Sequence, residues 1–458
     1  MKKSIIVVAI FIAIVAALPI IGNSFMKETI DTRVSELESF GLKAQTQTTQ
    51  SSYLSSSRHF EFILQDSAAF IEYLNKYSNQ QIPPYVNAML NGVVIGADIE
   101  YSNLPFAKSI EVEIYPLSLS ADMKDEIRKE DLAFSNYLEK FLESKGVLYH
   151  ISYNIINSEF KGYIKDIETS YDFDKELQVD FKLSGATFSG EGDLIAPEEI
   201  KSKIKSFHVD IINQDKKLNI NLVKLSSKSE FDSKNSYETD MQLKSFKILL
   251  SGTPNDANIT MNDVVISASS DDEKEKTELK TKVSFQEFHV NSKELFLDMK
   301  KFAFKLKIKD LDKEKYEVFR SLASRNDMTN SSKYQKDVQN SLLQLIEKGL
   351  IIDIKEFSVK EVTVDKIGNI EGFDIKTEIT VKEDATLGQK IAMSPLMAVG
   401  NLEVHTKMKI NKKMYSYMMQ NPGMMMQLNA YAKEDGSDVI FGIDFVDSKL
   451  TVNGQTLN

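Results

Sequence analysis

The sequence predicts an α+β protein: an N-terminal transmembrane helix followed by large, mainly antiparallel β-sheets with α-helical covers. Three observations carry this expectation. Residues Ile5 to Gly22 hold no charge and follow Lys2 and Lys3. Apolar and polar residues alternate with period two in segment after segment, the mark of antiparallel sheet with one wet face. Glycine and proline are scarce, 19 and 9 in 458 residues, so long regular elements joined by few tight turns are expected.

The uncharged run comes first. Its roughly 18 residues reach about 27 Å as a helix, close to the thickness of a bilayer core. It exceeds the usual signal-peptide core and no A-x-A cleavage site follows, so a retained anchor is expected. Lys2 and Lys3 hold that end in the cytoplasm. The expected location is therefore the inner membrane, single-pass, with the bulk of the chain in the periplasm.

Residues 1–25 form the anchor in this reading, and 26–52 a stalk ending in the polar, low-complexity "KAQTQTTQSS". Residues 53–310 form a strand-rich α+β domain, and 311–458 a helical patch followed by a C-terminal α+β domain. Strands are expected at "LQVDFKLSG" (Leu177, Val179, Phe181, Leu183), "LNINL", "FAFKLKIKD" (Phe302, Phe304, Leu306, Ile308), "FDIKTEITV" and "LEVHTKMKI". Helices are expected where Ile127, Phe134, Leu138, Phe141 and Leu142 make one stripe closed by Gly146. Two more lie around 312–326 and 331–350, a further one at 386–399, and the last in the methionine-rich segment 414–431.

Charged residues at 27% and hydrophobic ones at 42% describe an ordinary globular chain. A net charge of −11 argues against nucleic acid, whose phosphates need Lys and Arg. The absence of cysteine excludes disulfides, thiolate nucleophiles and Cys-ligated zinc.

Chemistry-bearing motifs are few. The five histidines, His59, His150, His208, His289 and His405, are widely spaced and form no H-E-x-x-H. His208 and Asp210 share one strand face, as an acid–base or metal pair would, but such spacing is common in solvated strands. Asp271, Asp272 and Glu273 read as a solvated hairpin tip, lacking the alternating ligands of a calcium loop. No nucleophile elbow or phosphate loop occurs, so no enzyme, cofactor or metal is expected. Asn453-Gly454 is the strongest hairpin signal.

Met414, Met418, Met424 and Met425 stand out. Asn421-Pro422 separates two short helices, with Met414 and Met418 one turn apart on the first. Three readings remain: packing of a helical hairpin on the sheet, an apolar interaction surface, or a thioether copper site.

The single anchor, "YLSSSRHFEFIL" (Tyr53, Ser55 to Ser57, Phe60, Phe62, Leu64), "FKGYIKDI" (Phe160, Gly162, Ile167) and the closing "LTVNGQTLN" resemble the YdgA-like family of bacterial inner-membrane proteins of unknown function. The His-Gly-Pro turn associated with that family is absent. The resemblance implies an anchored, envelope-facing protein capable of self-association, and it supplies no catalytic residues. With no catalytic constellation in the sequence, the expected function is a non-enzymatic structural or interaction role, with a homodimer as the expected form of self-association. The alternative is an apolar groove for lipid or another hydrophobic ligand, as in AsmA-like proteins. Helical cover over the sheets decides between them, because an unsealed apolar face is a ligand surface.

Overall fold

The computed structural model describes residues 30–456 except 78–89, 104–108, 175–176, 193–196, 234, 254–255, 325–331, 366–367 and 420–428. Two compact units divide the chain. One runs up to Phe231 and includes Leu249–Thr253; the other takes Asp232–Ile248 and the residues after Thr253. Strand accounts for 61% and helix for 23%, and the described strand pairings are antiparallel.

That corrects the expected fold class. Each unit is dominated by antiparallel sheet, and the helical covers are missing over much of the second unit. The reason is length. A strand of 17 residues such as Ala257–Glu273 runs about 56 Å. The 16 residues of the helix Ser332–Glu347 reach only about 24 Å. No described helix is long and apolar enough to cross a membrane. The expected N-terminal span, Ile5–Gly22, lies outside the described residues, so the established fold is a sheet protein without a transmembrane helix among its described parts.

The first unit opens with helix α1 (Ile30–Ser39) and strands β1 (Leu42–Ser51) and β2 (Ser55–Leu64), then helix α2 (Ser67–Tyr77). Strands β3 (Val94–Ser102) and β4 (Ser109–Ser118) precede helices α3 (Ala121–Glu130) and α4 (Leu132–Glu143). Seven strands follow: β5 (Tyr149–Asn154), β6 (Glu159–Ile164), β7 (Ile167–Asp174), β8 (Leu177–Ser184), β9 (Ala186–Gly192), β10 (Pro197–Asn213) and β11 (Lys216–Phe231). Their spatial order is β1-β2-β3-β4-β5-β6-β9-β10-β11, and β7 with β8 occupies the other half of the β10 edge. The core is sealed. Phe134, Leu138 and Leu142 repeat at the i, i+4 spacing of α4 and pack on Phe60, Phe62, Ile114 and Ile151. Asp131 caps α4 by accepting from the Phe134 amide at 2.8 Å.

Residues 42–51, expected as stalk, are β1, paired along β2 from Leu42 opposite Leu64 to Ser51 opposite Ser56. An edge strand needs only one row of backbone bonds, and its threonines and glutamines tolerate water on the other side. Only Leu42 is buried there.

The second unit contains β12 (Tyr237–Ser251, the last residues belonging with the first unit), β13 (Ala257–Glu273), β14 (Lys276–Ser292) and β15 (Phe296–Asp312). Helices α5 (Lys313–Ser324) and α6 (Ser332–Glu347) lead to β16 (Leu350–Val364) and β17 (Gly368–Val381). Helix α7 (Leu387–Met393), the 3-10 turn Pro395–Asn401, β18 (Leu402–Asn411) and helix α8 (Lys412–Met418) follow. The chain closes with β19 (Lys433–Asp435), β20 (Asp438–Val446), β21 (Lys449–Val452) and β22 (Gln455–Thr456). Strands β13 to β18 pair consecutively and β20 joins β18. Strand β12 is tied to β13 by the Ser245 hydroxyl donating to Asn262 and the Ser267 hydroxyl donating to Asp240. The division between units thus falls well before residue 310. The α5–α6 patch does not separate domains because its cluster takes Leu279 and Ile308 on one side of it in sequence and Ile352 on the other.

Both units share one irregularity. Two residues, instead of one, separate successive apolar positions in strand after strand: Ile204 to Phe207, Leu222 to Leu225, Met261 to Val264, Phe285 to Phe288, Met299 to Phe302, Val359 to Val362 and Ile370 to Phe373. In regular strand this spacing would send the second apolar residue to the opposite face. The segments lie opposite one another, with Ile204 facing Leu225 in the first unit. In the second unit Phe285 faces Phe302, Met299 faces Val362 and Val362 faces Ile370. Lys224, Asp263 and Lys301 take positive φ there, at 54°, 52° and 54°. The strand register is the same on either side of these gaps, so a row of matched kinks, not of register-shifting bulges, crosses each sheet and keeps residues such as Met299, Phe302 and Val362 in one apolar cluster. Lysine pays about 1 kcal/mol for the left-handed conformation. Lys301→Gly is accordingly expected to be neutral or stabilising by up to about 1 kcal/mol in denaturant melts, whereas Lys282→Gly, in regular strand, costs about 0.5–1 kcal/mol.

Candidate functional site

The candidate site is the apolar face of the second unit. Between the row of kinks and the α5–α7 end, it presents Met241 of β12, Ile266 of β13, Val283 of β14, Phe304 and Leu306 of β15, Ile354 and Phe357 of β16, and Ile375 of β17. All are only partly buried. Aromatic rings run across it: Phe285 stacks on Phe302 at 4.6 Å, Phe357 meets Phe302 and Phe304 edge-on at 6.1 Å each, and Phe373 lies 5.0 Å from Phe357.

Among the described residues, helices cover the ends of this face and not its middle. At one end Leu311, Leu345, Leu350 and Leu387 are buried with Ile308 and Ile352 beside them. At the other, Ile410, Tyr415 and Phe441 are buried under α8. The residues between belong to neither cluster. Fully burying one such side chain is worth about 1.5–3 kcal/mol, and these eight are more buried than exposed, so leaving the set partly exposed forgoes on the order of 4 kcal/mol. That is a sizeable share of a protein's net stability of about 5–15 kcal/mol.

The methionines lie beside this face rather than on it. Helix α8 is capped by Asn411, whose side chain accepts from the Lys413 amide. It turns Met414 toward Val362, Ile370 and Phe373, while Met418 is 39% exposed. Met424 and Met425 lie outside the described residues. That exposure does not fit the reading in which Met418 packs a helical hairpin on the sheet; Tyr415, at 7%, holds the inward position. The Asn453-Gly454 turn forms as expected, with φ of 50° and 80° between Val452 and its partner Gln455.

Each of the five histidines lies against a carboxylate, mostly across neighbouring strands. His59 bonds Asp98 at 2.6 Å, His150 meets Glu111 at 3.2 Å, His208 bonds Asp210 at 2.8 Å, His405 bonds Asp444 at 2.7 Å, and His289 bonds Asp298. These are polar-face pairs of the sheet. Asp210 is held low: burial raises its pKa, but bonds from Asn219 and His208 outweigh that. Asp272 accepts from the Thr277 hydroxyl at 2.7 Å and pairs with Lys313 at 2.9 Å. Among the described residues no group of three or more His, Asp or Glu side chains is gathered to hold a metal.

One network was invisible in the sequence. Lys145, not Gly146, takes the left-handed position ending α4, with φ 53°. Gly146 then closes the turn by donating to the Phe141 carbonyl at 2.8 Å, where a Cβ would lie 2.5 Å from the Phe141 ring. The Lys145 ammonium reaches Asp98 at 2.6 Å and Glu113 at 2.9 Å, above the Tyr115 ring at 4.1 Å from its centre. Tyr115 donates to Asp98 at 2.8 Å. Burial pushes the Asp98 carboxyl up, but Lys145, His59 and Tyr115 together bring it below its ordinary value. Burial and the Asp98 bond push Tyr115 up. Asp98 is held as the carboxylate and Lys145 as the ammonium, so the network welds β2, β3 and β4 to the end of α4. Because the folded Asp98 pKa is depressed, its contribution is present above the ordinary carboxylate range and is lost as pH falls through it. Thermal melts from pH 7 to pH 3 are expected to fall below about pH 4, and Asp98→Asn to lower the neutral plateau and flatten that limb.

No family model, curated protein or solved structure matches the chain.

Proposed function

We propose that the protein is a non-enzymatic binder of long apolar chains of the acyl class, held along the uncovered face of the second unit from β12 to β17. The observation that supports this is a continuous, partly exposed apolar face that no helix among the described residues covers at its middle. The named positions offer hydrocarbon, aromatic rings and a thioether, and the hydroxyls beside them are those of Thr281, opposite Leu306, and Thr377, opposite Ile354. A surface with so little hydrogen-bonding capacity selects by apolarity, whereas a protein interface carries polar contacts at intervals. Six strands at their usual spacing give a path of roughly 24 Å, enough for an extended chain. Titration of delipidated protein with a fluorescent fatty acid is expected to saturate and to be reversed by an unlabelled one. Linear, non-competable uptake would reject the reading.

Self-association is the second reading. Met393, Leu396 and Met397, at 76%, 81% and 50% exposure, form an apolar tip beside the α5–α7 cluster. It requires that Leu396→Ser lower the mass of the particle in solution.

A further inference from the structure

On the first unit's wet face, two side-chain rows run across β5, β6, β9 and β10. Ser152, Lys161, Ser189 and Lys201 lie opposite one another in one row, and His150, Tyr163, Thr187 and Lys203 in the next. They line a shallow furrow of about 610 Å³. In a chain of net charge −11 this tile concentrates three lysines. Lys201 is paired with Glu199. Neither Lys161 nor Lys203 has a carboxylate at ion-pair distance among the described residues, and both line the furrow. Glu111 at the furrow's edge is already engaged, accepting from the Ser152 hydroxyl at 2.8 Å and meeting His150 at 3.2 Å.

We infer that this furrow binds a phosphate-bearing ligand, with Lys161 and Lys203 as its cations and Thr187 and Ser189 as hydroxyl donors between them. Strands β6 and β10 flank β9 and the two lysines sit in successive rows, so their backbones stand about 12 Å apart. Both side chains are long enough to converge on one anion above Thr187 and Ser189. Charge-assisted hydrogen bonds from lysine make such contacts strong for their size. The Tyr163 ring, 43% exposed and stacked on His150 at 4.8 Å, gives a flat apolar wall for the carbon part of the ligand. The same chemistry fits a phospholipid headgroup and a soluble phosphate ester.

The test uses the full chain at low ionic strength, where surface charge is least screened. Inorganic phosphate and glycerol phosphate are titrated and followed by phosphorus NMR line broadening, and flotation is compared on phosphatidic acid and phosphatidylcholine vesicles. The wild type should bind phosphate, and Lys161→Gln with Lys203→Gln should weaken it about tenfold or more without moving the melting temperature. Flotation on phosphatidic acid alone, lost in the same variant, assigns the site to a lipid headgroup. Binding of the soluble phosphates without flotation assigns it to a soluble ester. Absence of phosphate binding, or equal binding by the variant, overturns the inference. Fatty-acid binding is expected to be unchanged in the Lys161→Gln, Lys203→Gln variant, so failure of this inference and failure of the acyl-chain reading are told apart.

Discussion

Phe304→Glu is expected to weaken binding of a fluorescent fatty acid by about 100-fold, while Lys282→Glu on the wet face of neighbouring β14 leaves it unchanged. Phe304 sits mid-face on β15, opposite Val283 and Phe357 and edge-on to the Phe357 ring at 6.1 Å. A carboxylate there must be desolvated beneath an acyl chain, which costs several kcal/mol, and about 2.8 kcal/mol already gives 100-fold. The folded state suffers far less, because the side chain is half exposed and the glutamate can turn to water. The paired readout is essential. Lost binding with a preserved melt supports a ligand face, whereas lost stability with unchanged binding would show that Phe304 serves packing alone.

Phe60→Ala carries the largest expected effect on stability. Phe60 is 0% exposed, stacks on Phe62 at 5.6 Å and lies beneath the Arg58 guanidinium at 5.0 Å. Truncating a buried phenylalanine removes its transfer free energy and leaves a cavity, together about 3–5 kcal/mol. The first unit has its own sealed core, so the damage should stay there. Amide exchange should accelerate in β2, β3 and β4 while β14 to β16 keep their protection. A loss under about 1 kcal/mol would mean that the core around Phe60 is not the cooperative one described.

Strand positions were legible where alternation was regular, and "LQVDFKLSG" became β8 with Leu177, Val179, Phe181 and Leu183 all buried. Coverage was not. "FAFKLKIKD" has the same pattern, yet Phe302, Phe304, Leu306 and Ile308 stay half exposed in β15. Alternation records which face avoids water, not what shields it. That is why helical covers were expected where none lies. The row of kinks carried a readable signal: two-residue gaps such as Met299-Lys300-Lys301-Phe302 and Phe285-Gln286-Glu287-Phe288 recur in adjacent strands. Taken one at a time, such a gap looks like a strand end.

The charged network around Lys145 left no such trace. Asp98, Glu113 and Lys145 are brought together by strand register and by a non-glycine helix end, where the sequence pointed to Gly146. The polar "KAQTQTTQSS" likewise looks like linker because an edge strand buries almost nothing. For Met418 the helical spacing was right but the facing was not, since Tyr415 takes the buried position on α8.

The most direct measurement is photocrosslinking of a diazirine fatty acid to the intact protein, followed by peptide mass spectrometry. Occupancy of the uncovered face predicts adducts on Met241, Ile266, Val283, Leu306, Ile354 and Ile375, competed by unlabelled fatty acid. Adducts confined to the Met393–Met397 tip or to the first unit, or labelling that competitor leaves unchanged, would contradict it.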